Sequence, residues 1–136
     1  PNGTLLVMNG TDTLLNVMWS KHDNQGNIDW REAKKWVKYT FPYTLETHYD
    51  DWRMPTLEEL KTLYDADRLY DGYETECGQR VRMIPEIELS CGWLWASEMK
   101  MISAKLFNFH RGYFYTDRVS KKRGYRVLPV RDLTTP

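Results

Sequence analysis

A chain of 136 residues in which 41% are apolar has the length of one domain and enough nonpolar side chains for one core. The charged content of 28% and a mean hydropathy of -0.67 exclude a membrane-spanning bundle and a disordered tract alike, the longest apolar runs being tetrads such as Leu5-Leu6-Val7-Met8. Zero net charge hides a segregation, with nine Lys/Arg against Asp117 alone in residues 100–131 and ten carboxylates against three cations in residues 46–76. Such asymmetry marks an anionic-ligand surface, two segments that pack together, or a head-to-tail contact between protomers.

In chain order, Leu5-Leu6-Val7-Met8, Asn9-Gly10 and the stretch Leu14-Leu15-Asn16-Val17-Met18 predict an N-terminal hairpin, since Asn-Gly supplies the positive backbone angles of a tight turn. Asn2-Gly3-Thr4 and Asn9-Gly10-Thr11 also read as glycosylation sequons, although turn chemistry accounts for them. The start at Pro1, without a basic-then-apolar leader, reads as a processed or excised piece. Asp29-Trp30-Arg31-Glu32 has the spacing of a reciprocal helix cap, and Trp30, Ala33, Trp36 and Val37 then fall on one helical face until Pro42. Pro55 precedes a second cap, Thr56-Leu57-Glu58-Glu59, followed by Leu57, Leu60, Leu63 and Tyr64 at helical spacing.

Residues 65–89 show no sustained period and are rich in turn formers, which predicts a long excursion of a kind that often carries function. Strands are expected at Trp93-Leu94-Trp95-Ala96-Ser97, at residues 104–109, at Tyr113-Phe114-Tyr115 and at residues 125–131, with Gly112 and Gly124 between them. The pattern is that of an α+β domain over residues 1–136, with a loop insert at 66–91. Two short helices pack on a mainly antiparallel twisted sheet with long loops, and the N-terminal hairpin joins the last strand. Cys77 and Cys91 enclose 13 residues, compatible either with one disulfide or with two reduced, buried thiols.

Asp51-Trp52-Arg53-Met54-Pro55-Thr56-Leu57-Glu58-Glu59-Leu60 resembles the Asp-Trp-Arg-Leu-Pro-Thr signature, followed by Glu-Leu, of the Lcl C-terminal domain family. That bacterial module was first described at the C-terminus of a collagen-like surface adhesin. Met18-Trp19, Trp30-Arg31-Glu32-Ala33, Trp93-Leu94-Trp95-Ala96-Ser97 and the ending Val130-Arg131 are similar to the family's other elements in the same order. The closing strand often carries a Cys where Leu128 or Pro129 stands here, so no disulfide pattern transfers. The resemblance implies a C-type-lectin-like fold related to the formylglycine-generating-enzyme group. It also implies a secreted or surface-displayed binding role, extracellular or periplasmic, with glycan attachment as the expected activity.

Trp30, Asp51, Trp52, Arg53, Pro55, Thr56 and Glu59 read as structural: an aromatic anchor, an ion-pairing guanidinium, a rigid approach and a helix cap. His22, His48 and His110 lie in loops or strand ends without a nucleophile signature, and no Cys-x-x-Cys occurs, so neither an enzyme nor a zinc or thioredoxin-like site is expected. Asp65, Asp67, Asp71, Glu74 and Glu76 are the densest oxygen cluster, but Leu69 and Tyr70 break the EF-hand pattern, leaving a noncanonical calcium site as the alternative to a solvated loop. The binding constellation expected is Trp95, Asn108, His110, Arg111, Tyr113, Tyr115, Arg118, Lys121, Lys122 and Arg123, where aromatic faces suit sugars and Arg suits sulfate or carboxylate. The partner expected is an anionic glycan or surface protein rather than nucleic acid, with self-assembly into a homo-oligomer as the alternative.

Overall fold

The computed structural model of the protein describes residues 5–8, by backbone alone, 16–46 and 49–133. The Asn9-Gly10 turn, both sequons and His48 lie outside the described residues. The first sheet joins β1 (Leu5–Met8), β2 (Val17–Ser20) and β9 (Val130–Asp132) in antiparallel order, with Met8 opposite Val17 and Trp19 opposite Val130. The N-terminal hairpin therefore does meet the last strand. A second sheet has the order β7 (Tyr113–Arg118), β6 (Ser103–Asn108), β5 (Trp93–Lys100), β8 (Tyr125–Arg126), and a short hairpin pairs β3 (Tyr73–Glu74) with β4 (Arg80–Val81).

Each face of the four-stranded sheet is covered by one helix. Helix α1 (Trp30–Lys35) starts at a complete capping box, the Asp29 carboxylate accepting from Glu32 N–H at 2.8 Å and the Glu32 carboxylate from Asp29 N–H at 3.1 Å. The helix widens into a π turn at Trp36–Thr40 before Pro42 enters a 3-10 turn at Phe41–Thr44. Trp30, Ala33 and Val37 pack with Trp95, Leu106 and Val127 against one sheet face. Helix α2 (Leu57–Leu63) has the second capping box and sends Leu57, Leu60 and Leu63 onto the opposite face, against Leu94, Phe107 and Phe109. Each such large apolar side chain contributes about 1.5–3 kcal/mol by leaving water. A residue far from α2 in sequence completes its start, since both Glu98 carboxylate oxygens accept from Leu57 N–H.

Two expectations need correction. The closing strand is not continuous: Tyr125–Arg126 runs parallel to β5, residues 127–129 change sheets, and Val130–Asp132 pairs with β2. Pro129 lacks an N–H for a ladder, and the N–H of Val127 is taken by Asn24 Oδ1 at 2.9 Å. The stretch 65–89 is also more than a loop, because Val81, Met83, Ile87 and Leu89 are buried in the α2-side core. The Cys77–Cys91 disulfide ties this stretch to the start of β5. Among the described residues, Asp51–Arg131 is the one ion pair that joins the acidic segment to the basic one.

Candidate functional site

The Asp51–Glu59 stretch forms a closed polar clamp. Arg53 donates through Nη1 and Nη2 to the two Glu59 oxygens (2.8 and 2.7 Å), and through Nε and Nη2 to Asp132 (3.2 and 2.7 Å). Its own backbone exchanges two hydrogen bonds with Val130. Hydrogen bonding to Glu59 holds the guanidinium charged well above its ordinary range, and the same Arg53 holds the Asp132 carboxyl below the usual range. Asp51 grips Arg131 at 2.7 and 3.0 Å, and Trp30 Nε1 donates to the Ala96 carbonyl. Trp52 packs edge-on to Phe41 and is buried, with no acceptor for its Nε1 among the described residues.

The expected binding residues separate into three groups. Trp95 and Asn108 belong to the interior. The Trp95 ring is fully buried and donates to the Ile28 carbonyl, while the Asn108 Oδ1 accepts from the N–H groups of His110 and Arg111 and thereby builds the β6–β7 turn. Neither offers a surface to a ligand. Gly112 completes that turn at φ 80°, where a Cβ would lie 2.4 Å from the Tyr64 ring. His110 hydrogen-bonds through Nδ1 to the Arg80 carbonyl, joining the turn to β4.

Tyr113 and Tyr115 form the second group. β7 is an edge strand, so both remain about half exposed, and by alternation both lean on the same ring, Trp93, at 5.6 and 5.7 Å between centroids. Tyr125 approaches Trp93 from the other side at 6.2 Å, so the four rings form one shelf. The Tyr125 hydroxyl donates to Asp117; burial, then that carboxylate, pushes the phenol above its usual range and keeps it protonated. Phe114 points to the opposite face, between the ammonium groups of Lys61 and Lys105.

The cations are the third group, and β7 divides them. Arg111 lies at the turn before it, whereas Arg118, Lys121, Lys122 and Arg123 lie at its far end, roughly 17 Å away by strand rise. Lys122 pairs with Glu32; Arg111, Arg118, Lys121 and Arg123 form no ion pair among the described residues. Trp93, Asp117 and Tyr125 were missed in the binding constellation. Alternation places Trp93 on the same face as Trp95, but only the coverage of that face by α1 shows that Trp95 is sealed and Trp93 is not.

Elsewhere, a groove of about 700 Å³ runs between α1 and residues 50–56, lined by Lys34, Lys38, Asp50, Asp51, Trp52 and Met99 among others. The acidic stretch is organised by Asp65, whose two oxygens accept from Leu69 and Tyr70 N–H. Among the described residues no three His, Cys, Asp or Glu side chains converge as metal ligands. A profile of the Lcl C-terminal domain matches residues 10–131. The chain belongs to the Lcl C-terminal domain family. A search of curated proteins found no match. The Asp51–Glu59 clamp and the Trp93 shelf are thus two features of one Lcl C-terminal domain, and no helix among the described residues is long and apolar enough to cross a membrane.

Proposed function

We propose that this Lcl C-terminal domain is a non-enzymatic recognition module, displayed outside the cell, that takes an anionic glycan on the Trp93 shelf. The observation that carries the reading is the set of four adjoining rings with Tyr113 and Tyr115 half open to solvent. Sugar C–H faces stack on such rings, and a sulfate or carboxylate on a neighbouring residue of the glycan would meet Arg118, Lys121 or Arg123. The disulfide and the family membership support a surface setting. We retain the C-type-lectin-like assignment as part of this proposal, in keeping with the loop-rich α+β architecture closed by β2 and β9. The reading assigns no catalytic step and no cofactor.

Binding to sulfated and uronic-acid glycans tests it. Tyr113→Ala with Tyr115→Ala, and separately the quadruple Gln variant of Arg118, Lys121, Lys122 and Arg123, should each lose binding; retention by both would reject the shelf. Chelation by EDTA checks the calcium alternative at residues 65–76 and should leave binding intact.

A second reading rests on a different observation, that among the described residues Asp51–Arg131 is the one ion pair between the two charged segments. Asp67, Glu74 and Glu76 then remain available to the basic end of a second copy, making the domain an assembly module. Light scattering at low and raised salt separates the readings: a monomer favours the glycan, and a salt-sensitive oligomer favours assembly.

A further inference from the structure

The turn between β5 and β6 runs against local preference. Met101 sits at φ 60°, the left-handed region in which glycine or asparagine is the usual occupant and a Cβ is penalised. It is also 82% exposed, and Ile102 beside it is 57% exposed. Met99, at the end of β5, is a third exposed apolar side chain. A hairpin tip with no duty beyond reversing the chain is best served by polar residues suited to those angles. Here both backbone preference and solvation are sacrificed at one apex, which marks it as a contact surface.

Cations collar that apex on both sheet faces. Lys100 stands opposite Ser103 and Ser103 opposite Arg118, so the last row of the sheet carries a positive charge on either side of Ser103. Lys105 follows two residues along β6 on the same face. On the other face, Lys34 and Lys38 share a groove with Met99. The carboxylates on these elements are engaged: Glu98 accepts from Leu57 N–H and Asp117 from the Tyr125 hydroxyl. Across the groove Asp51 is held by Arg131, and Asp50 is the remaining acid of that wall.

We infer that this apex docks on an anionic lipid surface, with Met101 and Ile102 entering the headgroup region and the collar of lysines and Arg118 meeting the lipid phosphates. An apolar tip within a ring of one sign matches a plane of negative charge over an apolar layer. A protein pocket for the same side chains would call for no cations on both faces of the sheet. The apolar tip at Met101 and Ile102 is distinct from the Trp93 shelf, since Tyr113 lies at the other end of β7 from Arg118, and Arg118 borders both surfaces.

The test is flotation of the intact chain with phosphatidylcholine vesicles, with and without phosphatidylglycerol. The wild type should bind only the anionic vesicles. Lys100→Gln and Arg118→Gln should each weaken binding about fivefold. Met101→Asn with Ile102→Ser should weaken it roughly tenfold. Met101→Asn relieves the left-handed methionine, so its Tm should equal or exceed the wild-type value, which separates lost docking from lost folding. No binding by the wild type, or undiminished binding by the Met101→Asn, Ile102→Ser variant, would overturn the inference. Crosslinking of the tip to a protein without vesicle binding would overturn it in favour of a protein pocket. Glycan binding by the Trp93 shelf should be unchanged in Lys100→Gln and in the Met101→Asn, Ile102→Ser variant.

Discussion

Arg53 gives its guanidinium to two carboxylates and the Met54 carbonyl, whereas Tyr113 and Tyr115 lean on one ring and leave about half of their surface to water. The two regions use opposite means of holding geometry. In the clamp, charge-assisted bonds fix α2, β9 and the Asp51–Pro55 approach to one another, and removal of any member strands a partner. On the shelf, edge-on and tilted ring contacts hold orientation with few polar bonds, so area stays free for another molecule. A polar network rich in charge is thus a poor place to look for a ligand when each charge is already spent, and an edge strand with idle rings is a better one.

The largest expected effect comes from Arg53→Ala, which leaves the buried Glu59 and the Asp132 carboxylate without their cation; a loss of about 3 kcal/mol in chemical denaturation is expected. Arg53→Lys should recover less than half of it, because an ammonium cannot serve both carboxylates in paired geometry. If lysine restored full stability, the clamp would be a matter of charge alone. Trp93→Ala should cost about 2 kcal/mol, as a half-buried ring is removed from between Tyr113, Tyr115 and Tyr125. Tyr115→Phe should change stability by less than about 0.5 kcal/mol, as expected for an exposed position. A larger loss would mean that the shelf is held by polar bonds after all.

The smallest effect is a pH dependence. Arg53 holds the Asp132 carboxyl below its usual range, so the unfolded chain takes up that proton more readily than the folded one. The stabilisation is complete above about pH 4 and is lost as pH falls through the folded value. Asp132→Asn should remove that acid-side slope in denaturation measured across the window. Buried Asp23 acts with the opposite sign, since burial raises its pKa and the folded state gains relative stability as pH falls toward 3.8. Only the difference between wild type and Asp132→Asn isolates the clamp.

Much of the architecture was legible in the chain. Both capping boxes stand where Asp29/Glu32 and Thr56/Glu59 are spaced for them, and the apolar faces of both helices follow from period alone. The break in the closing strand was signalled by Pro129, yet its two halves pair in different sheets, and nothing local specifies a parallel partner 32 residues away. The buried residues of the 65–89 stretch escaped notice because Val81, Met83, Ile87 and Leu89 follow neither period; a disulfide and the sheet beside them decide their burial. In the candidate site, Tyr113 and Tyr115 stand out in the chain by the interleaving of aromatic and cationic residues, and the structure leaves both half exposed on one face. Trp95 and Trp93 were exchanged, because a strand pattern assigns a face but not how far a helix extends over it.

The ladder that closes the first sheet has a mechanical corollary. β9 is flanked by β2 on one edge and by the Arg53 backbone on the other, while Arg131 and Asp132 are tied sideways to Asp51 and Arg53. Tension applied to the chain beyond residue 133 would load these parallel attachments together before it reached the β5–β8 sheet. For the recognition module proposed above, a pull from that end would thus be borne by the clamp before it could distort the Trp93 shelf.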